Sequence, residues 1–186
     1  MKILDLGCGN KKIQGAIGID INPLSDADVI HNLNDLPYPF EDSLFDEIIA
    51  DNVVEHLDDV IKVMEEISRI GKPGATIKVF VPYFRSHWAH IDPTHRHYFT
   101  VDSFAYFDPD HITCKLYKYS NVRFKIEKVV FNERMKNGFL KSSIISMANR
   151  WPARYETHLS HLFPLDELTY YLFMCNKNPK KNSILG

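Results

Sequence analysis

The chain of 186 residues is poor in cysteine and glycine, with three of the first and eight of the second, and nearly neutral, with a formal charge of -2. Cys8, Cys114 and Cys175 are far apart and odd in number, which excludes a disulfide framework or a zinc knuckle and fits reduced thiols. No apolar run approaches the eighteen residues a membrane span requires, and no signal peptide precedes the first apolar run. The expectation is a soluble, unexported, cytoplasmic protein that does not engage a membrane. The small net charge gives no general electrostatic drive toward nucleic acid. Internal repeats and low-complexity tracts are also missing. What remains is an ordinary globular composition, 25% charged and 45% hydrophobic, sized for one domain over 1–186.

The most informative stretch is Lys2 to Gly9. A short apolar run ends at Gly7-Cys8-Gly9, where two residues without Cβ permit positive φ and close approach of backbone to a ligand. This reads as a buried strand ending in a ligand loop, the usual place for ligands in open α/β sheets. A second run, Ala16 to Asp20, closes on a carboxylate able to accept hydrogen bonds from a ribose diol. A dinucleotide fold needs a third glycine and a helix facing the pyrophosphate. Neither is present: Asn10 to Gly15 is about half of what a crossover helix needs. The spacing therefore points to an adenosine-like ligand without phosphates and argues against an NAD-dependent oxidoreductase.

Further along stand Asn34-Asp35-Leu36-Pro37-Tyr38-Pro39-Phe40, then Phe45-Asp46-Glu47-Ile48-Ile49 leading to Val53-Val54-Glu55-His56-Leu57. With Leu4-Asp5-Leu6-Gly7-Cys8-Gly9 and Asp20, these motifs closely resemble the class I, Rossmann-like S-adenosylmethionine-dependent methyltransferases, specifically small methyltransferase-type-11-like proteins. The resemblance covers roughly the first half of the chain. It implies S-adenosyl-L-methionine as cofactor, held by Asp5, Gly7, Gly9, Asp20, Ile21, Asp35, Leu36, Asp51 and Asn52. Asp35 would meet the adenine amino group, and Asp51 and Asn52 would lie against the methionine end. It also implies an α/β fold with a seven-stranded, mostly parallel sheet in the order 3-2-1-4-5-7-6, here with reduced early helices.

Strands are expected over Asp28 to Leu33, Phe45 to Ala50, Ala75 to Pro82, Val122 to Phe131 and Tyr170 to Asn176. Asn52 and Glu55 form a plausible capping pair for a helix carrying Leu57, Val60, Ile61, Met64 and Ile67. Glu55 and His56 either stabilise that helix start or face the substrate. Thr100 is placed to cap a short helix, Val101 to Phe107. Residues 134–167 form a helical insertion or lid between the last two strands. With the early helices missing, this insertion, or the same surface of a second subunit in a homodimer, is expected to cover the sheet near strands one to three.

Residues 84–115 form a substrate-side segment in which four of nine histidines fall between His87 and His97. One reading makes a histidine paired with Asp92 a general base. Another makes His90, Asp92 and His95 ligands of a divalent metal, and a third ties the loop down with histidine hydrogen bonds to backbone. The reading carried forward gives His90, Asp92 and His95 the catalytic role with no resident metal, and gives Tyr83, Trp88 and Arg96 to substrate binding. The expected function is methyl transfer by direct displacement to a small-molecule or glycan-type acceptor. The alternative is a catalytically silent S-adenosylmethionine-binding partner subunit.

Overall fold

A computed structural model describes residues 1–134 and 139–175. The expected last residue of the final strand, Asn176, and the basic stretch Lys177 to Lys181 lie outside the described residues.

The seven strands are β1 (Ile3–Leu6), β2 (Ile17–Asp20), β3 (Val29–Ile30), β4 (Phe45–Asp51), β5 (Gly71–Pro82), β6 (Phe124–Phe131) and β7 (Glu167–Met174). They form one sheet in the order β3-β2-β1-β4-β5-β7-β6. Pairing is parallel from β3 to β5, and β7 runs antiparallel to both β5 and β6. The expected topology is therefore present, with β3 shorter than its apolar run. No helix occupies the β1–β2 or β2–β3 connection. A single 3-10 turn (Val54–His56) follows β4, and the helices are α1 (Val60–Ile70), α2 (Trp88–Ile91), α3 (Ile112–Leu116), α4 (Phe139–Arg150) and α5 (Pro152–His158).

The short early connections leave the two faces of the sheet unequal. Registers put Leu4, Leu6, Ile19, Ile48, Ala50, Ile77, Val79, Leu168, Tyr170 and Leu172 on one face, all buried. There α1 adds Val63, Met64, Ile67 and Ile70. The other face carries Ile3, Glu47, Ile49, Thr76, Lys78, Tyr171 and Phe173, none of them buried. Parallel strands usually read as unbroken apolar runs because helices cover both faces. Here Thr76 and Lys78 interrupt β5 at period two, so its first part is buried on one side only, while Phe80, on the same face as Lys78, is buried nearer its end. Lys78 lies over the rings of Phe80 and Tyr171, with its ammonium 4.8 Å from each centroid, and so keeps its charge in water while its stem covers apolar surface.

The insertion does not take the place expected of it. α4 packs against α5 and β6, at the far edge of the sheet from β3. Tyr155 of α5 enters the core beside Tyr83 and Phe131, and the Asn149 side chain bonds the Phe131 backbone. Against the sheet near β1 and β2 lies the 10–15 loop, with Ile13 N bonded to Asp5 and the Lys12 stem beside Gly18. Residues 101–107 form successive turns instead of a helix, although Phe104 and Phe107 are buried as expected. The backbone bonds here close after three residues, Ser103 N to Thr100 O, Ala105 N to Asp102 O and Phe107 N to Phe104 O, while the Ser103 hydroxyl accepts from Thr100 N.

Asn52 and Glu55 do not cap a helix either. α1 starts later, where the Asp59 carboxylate accepts from Ile61 N and Lys62 N. The intervening 3-10 turn places Glu55 inside the protein, 1% exposed. All three cysteines are free thiols, and burial pushes Cys8 up to about 11. No helix among the described residues is long and apolar enough to cross a membrane.

Candidate active site

Two cavities open at the carboxyl ends of the parallel strands. The first, about 550 Å³, is lined by Asp5, Gly7, Gly9, Asp51, Asn52 and Arg134, among others. Gly7 and Gly9 have φ of +71° and +53°, so the loop curls back over β1 as their lack of Cβ allows. The Asp20 carboxylate fastens this loop to β2 by accepting from Gly9 N at 2.9 Å and Asn22 N at 2.8 Å. Asp5 accepts from Ile13 N at 2.8 Å and holds the other side of the loop, while burial raises its pKa. Asn52, with φ of +49°, adopts the left-handed conformation that asparagine tolerates better than most residues.

Arg134 was not among the sequence candidates. Its guanidinium lies over the Phe80 ring, 3.8 Å from the centroid, and ion-pairs with both Asp51 and Glu167. It thereby ties the start of the insertion to the tip of β4. Asp35 and Leu36 do not line this cavity. The Asp35 carbonyl accepts from His31 Nε2 and its N–H bonds to Asn32 O, while Leu36 is exposed, as is Ile21.

The second cavity, about 460 Å³, shares Asn52 with the first as a lining residue and is walled by Glu55, His56, Trp88, Ile91, Asp92 and His95. Both volumes lie in the range of small-molecule sites. The histidine-rich segment is pinned onto the 3-10 turn because Arg96 N and His97 N both bond to Glu55 O. His95 and Asp92 reach the cavity, but His90 does not: its Nε2 bonds to Phe84 O and its ring lies against Tyr98. The Asp92 carbonyl accepts from His95 N, but among the described residues its carboxylate bonds to no histidine ring. It accepts from Thr94 N and the Thr94 hydroxyl, which hold its pKa down, and the Thr94 hydroxyl oxygen in turn accepts from His56 Nδ1 at 2.8 Å. Burial holds His56 below the ordinary imidazole range, with His95 adding to the effect.

Glu55 is the most unusual group in the site. Neither carboxylate oxygen has a hydrogen-bond partner, and burial, with smaller contributions from Asp51 and Asp92, pushes its pKa up to about 8. A buried carboxyl with a raised pKa in a cleft is a candidate for a functional group. Of the expected substrate residues, Trp88 lines the cavity. Arg96 instead pairs with Asp58 at the surface, and Tyr83 is wholly buried among Phe84, Phe131 and Tyr155.

A methyltransferase domain family matches residues 4–79, the stretch that builds β1 to β5. No curated protein matches the chain. Among solved structures, a SAM-dependent methyltransferase from Archaeoglobus fulgidus superposes with a TM-score of 0.56 at 17% identity, over 92% of this chain and 85% of that one. A chain of the complex between the Haloferax volcanii Trm112 methyltransferase activator and its methyltransferase partner gives 0.57 at 17% identity, over 95% and 83%. Haemonchus contortus phosphoethanolamine N-methyltransferase 2, solved with phosphomonomethylethanolamine and S-adenosylhomocysteine, gives 0.52 at 14% identity, over 95% of this chain and 49% of that one. Over residues 4–79 the chain is thus similar to the methyltransferase domain family, and the whole chain shares its α/β fold with these S-adenosylmethionine-dependent methyltransferase structures.

Proposed function

We propose that the chain transfers the methyl group of S-adenosylmethionine to a small-molecule acceptor, with glycan-type hydroxyl compounds included in that class, and that the acceptor occupies the cavity walled by Glu55, His56, Trp88 and His95. The observation that carries this reading is that Asn52 lines both cavities, which puts them side by side at the tips of the parallel strands. A cofactor whose ribose lies on Asp20 and whose methionine end lies beside Asp5, Gly7 and Asp51 points its sulfonium at that junction. Asp35 and the Leu36 backbone take the adenine, and Ile21 adds an exposed apolar edge. Arg134 supplies a cation for the amino-acid carboxylate of the cofactor. The Haemonchus enzyme's small phosphorylated ligand supports a small-molecule acceptor.

Methyl transfer is a displacement at carbon. The acceptor lone pair forms the new bond to the methyl carbon as the carbon–sulfur bond breaks, and S-adenosylhomocysteine leaves as a neutral thioether. The protein contributes mainly alignment, which by itself supplies a large part of such a rate enhancement. Trp88 and Ile91 offer an apolar wall for the acceptor's body, and Glu55, His56 and His95 a polar wall for its reacting atom.

Calorimetric titration with S-adenosylmethionine should give one site per chain, and Asp20→Ala should weaken it at least tenfold. S-adenosylhomocysteine release in the presence of small-molecule fractions of a cell extract then reports turnover. A second reading, a cofactor-binding partner subunit without turnover of its own, draws on the open sheet face and on the Haloferax chain's assembly with an activator. Binding with no release across all fractions would favour that reading.

A further inference from the structure

We propose that Glu55, His56 and His95 bind a divalent transition-metal ion of the zinc class, with one coordination position open to the acceptor cavity. The three residues each offer one ligand atom, and those atoms all lie within 4.8 Å of one another. A tetrahedral zinc ion bound at about 2.1 Å separates its ligand atoms by about 3.4 Å, so side-chain rotations of roughly an ångström close the set. Two imidazoles with one carboxylate and a vacant position is also a ligand set that catalytic zinc sites use.

Three independent features aim these side chains at an ion. His56 Nδ1 donates to the Thr94 hydroxyl oxygen at 2.8 Å, and that hydroxyl donates to Asp92. His95 Nδ1 donates to the Ala89 carbonyl at 3.1 Å. With both Nδ1 atoms engaged as donors, each neutral ring presents its Nε2 lone pair, the arrangement in which outer hydrogen bonds orient metal-binding histidines. The third feature is Glu55, 1% exposed with neither oxygen satisfied, and with Oε1 4.0 Å from His95 Nε2. A buried carboxylate left without partners costs far more than a paired one, and an ion removes that cost. Helix capping, the alternative use for Glu55, is excluded by its place in the 3-10 turn.

The site deepens the methyl-transfer reading, because the open position faces the cavity proposed for the acceptor. An acceptor hydroxyl coordinated there loses its proton to water at lower pH than when free. Its oxygen then attacks the methyl carbon while the carbon–sulfur electron pair leaves with sulfur. Acceptors with an ionisable oxygen or nitrogen next to a compact apolar body fit this geometry best.

The test uses the full chain, stripped with a chelator and titrated with zinc by calorimetry and with cobalt(II) by visible absorption. One ion per chain is expected, with intense cobalt bands of low coordination number. His56→Ala, His95→Ala and Glu55→Gln should each lower zinc affinity at least 100-fold, while His161→Ala, at an exposed position, stays within threefold of wild type. His56 is only half-buried, so its variant reports even where His95→Ala fails to fold. Absence of saturation at one ion, or wild-type affinity in His56→Ala, would overturn the site. So would loss on His90→Ala without loss on His56→Ala. S-adenosylmethionine titration of the zinc-free chain is read separately, so failure of the metal site is distinguishable from failure of the methyltransferase reading.

Discussion

Gly7→Ala is expected to abolish measurable S-adenosylmethionine binding and to lower folding stability by about 3 kcal/mol. The left-handed backbone at φ of +71° costs a residue with Cβ about 1–2 kcal/mol. The new methyl group would also meet Val53 Cγ2 at 2.4 Å and Val53 Cβ at 2.7 Å. Val53 is β-branched and immediately precedes the 3-10 turn, so it cannot rotate away freely, and overpacking of this kind adds about 1–3 kcal/mol. The strain is relieved by moving the loop, and that movement breaks the bond from Gly7 N to Ile19 O at 2.8 Å and the grip of Asp20 on Gly9. Gly9 provides the internal control. Its Cβ would meet nothing within 4 Å, so Gly9→Ala should cost only about 1 kcal/mol in stability and act on binding through occupied ligand space. Urea denaturation and cofactor titration of both variants check this, and Gly7→Ala binding within tenfold of wild type would contradict it.

The second large effect belongs to Glu55 and changes sign with metal. In the metal-free chain Glu55→Gln should raise stability at pH 8 by about 4 kcal/mol, because it removes a carboxylate whose charged form is disfavoured by burial and by Asp51 and Asp92. Its pKa is about 8 folded against 4.5 as a free side chain, so between these values the folded chain holds more of the proton than the unfolded one. Stability therefore falls as pH rises through that window, is unaffected by Glu55 below about pH 4, and levels off above about pH 8. The groups facing Glu55 are Asp51, Asp92, His56 and His95, and the Gln variant leaves all four in place. Glu55→Gln should flatten the decline. Excess zinc should stabilise the wild type and leave the variant nearly unchanged, since an ion that binds only the folded state adds stability with its concentration. Thermal unfolding across pH, with and without zinc, reads both signs. A variant less stable than wild type in the chelated state would refute the assignment.

The meeting of Gly7, Gly9 and Asp20 at the tips of β1 and β2 was legible in the sequence because it is written locally. Gly7, Gly9 and Asp20 lie on short strands and on connections too brief to hold a helix, so their spacing alone constrains where they meet. The open sheet face has the same origin. What the sequence obscured was how far the uncovered face extends, since Thr76 and Lys78 are easily overlooked among the apolar residues of β5. The insertion, or a second subunit, was assigned to that face because the early helices are missing, but an uncovered face does not say what covers it.

The lining of the second cavity, proposed for the acceptor, was legible only in composition. Four histidines close together mark a special segment, but a loop containing Pro93 has no fixed period, so the turn toward the cavity of Asp92 and His95, and not of His90, comes from tertiary pinning by the Glu55 carbonyl. Glu55 itself fits a capping pattern, and the pattern gave way because Asp59 captures the helix start instead. Arg134 carries no local signal: it reaches Asp51 across 83 residues of sequence, and only the return of β6 beside β7 brings it there.

The central claim is tested most directly by a crystal structure of the chain with S-adenosylhomocysteine. The ribose hydroxyls should lie on the Asp20 carboxylate, and the amino-acid carboxylate should reach Arg134. The sulfur should sit between Gly7 and Asn52, facing the cavity that contains His95. A nucleoside bound away from the tips of β1 and β2, or a sulfur turned from that cavity, would contradict the account.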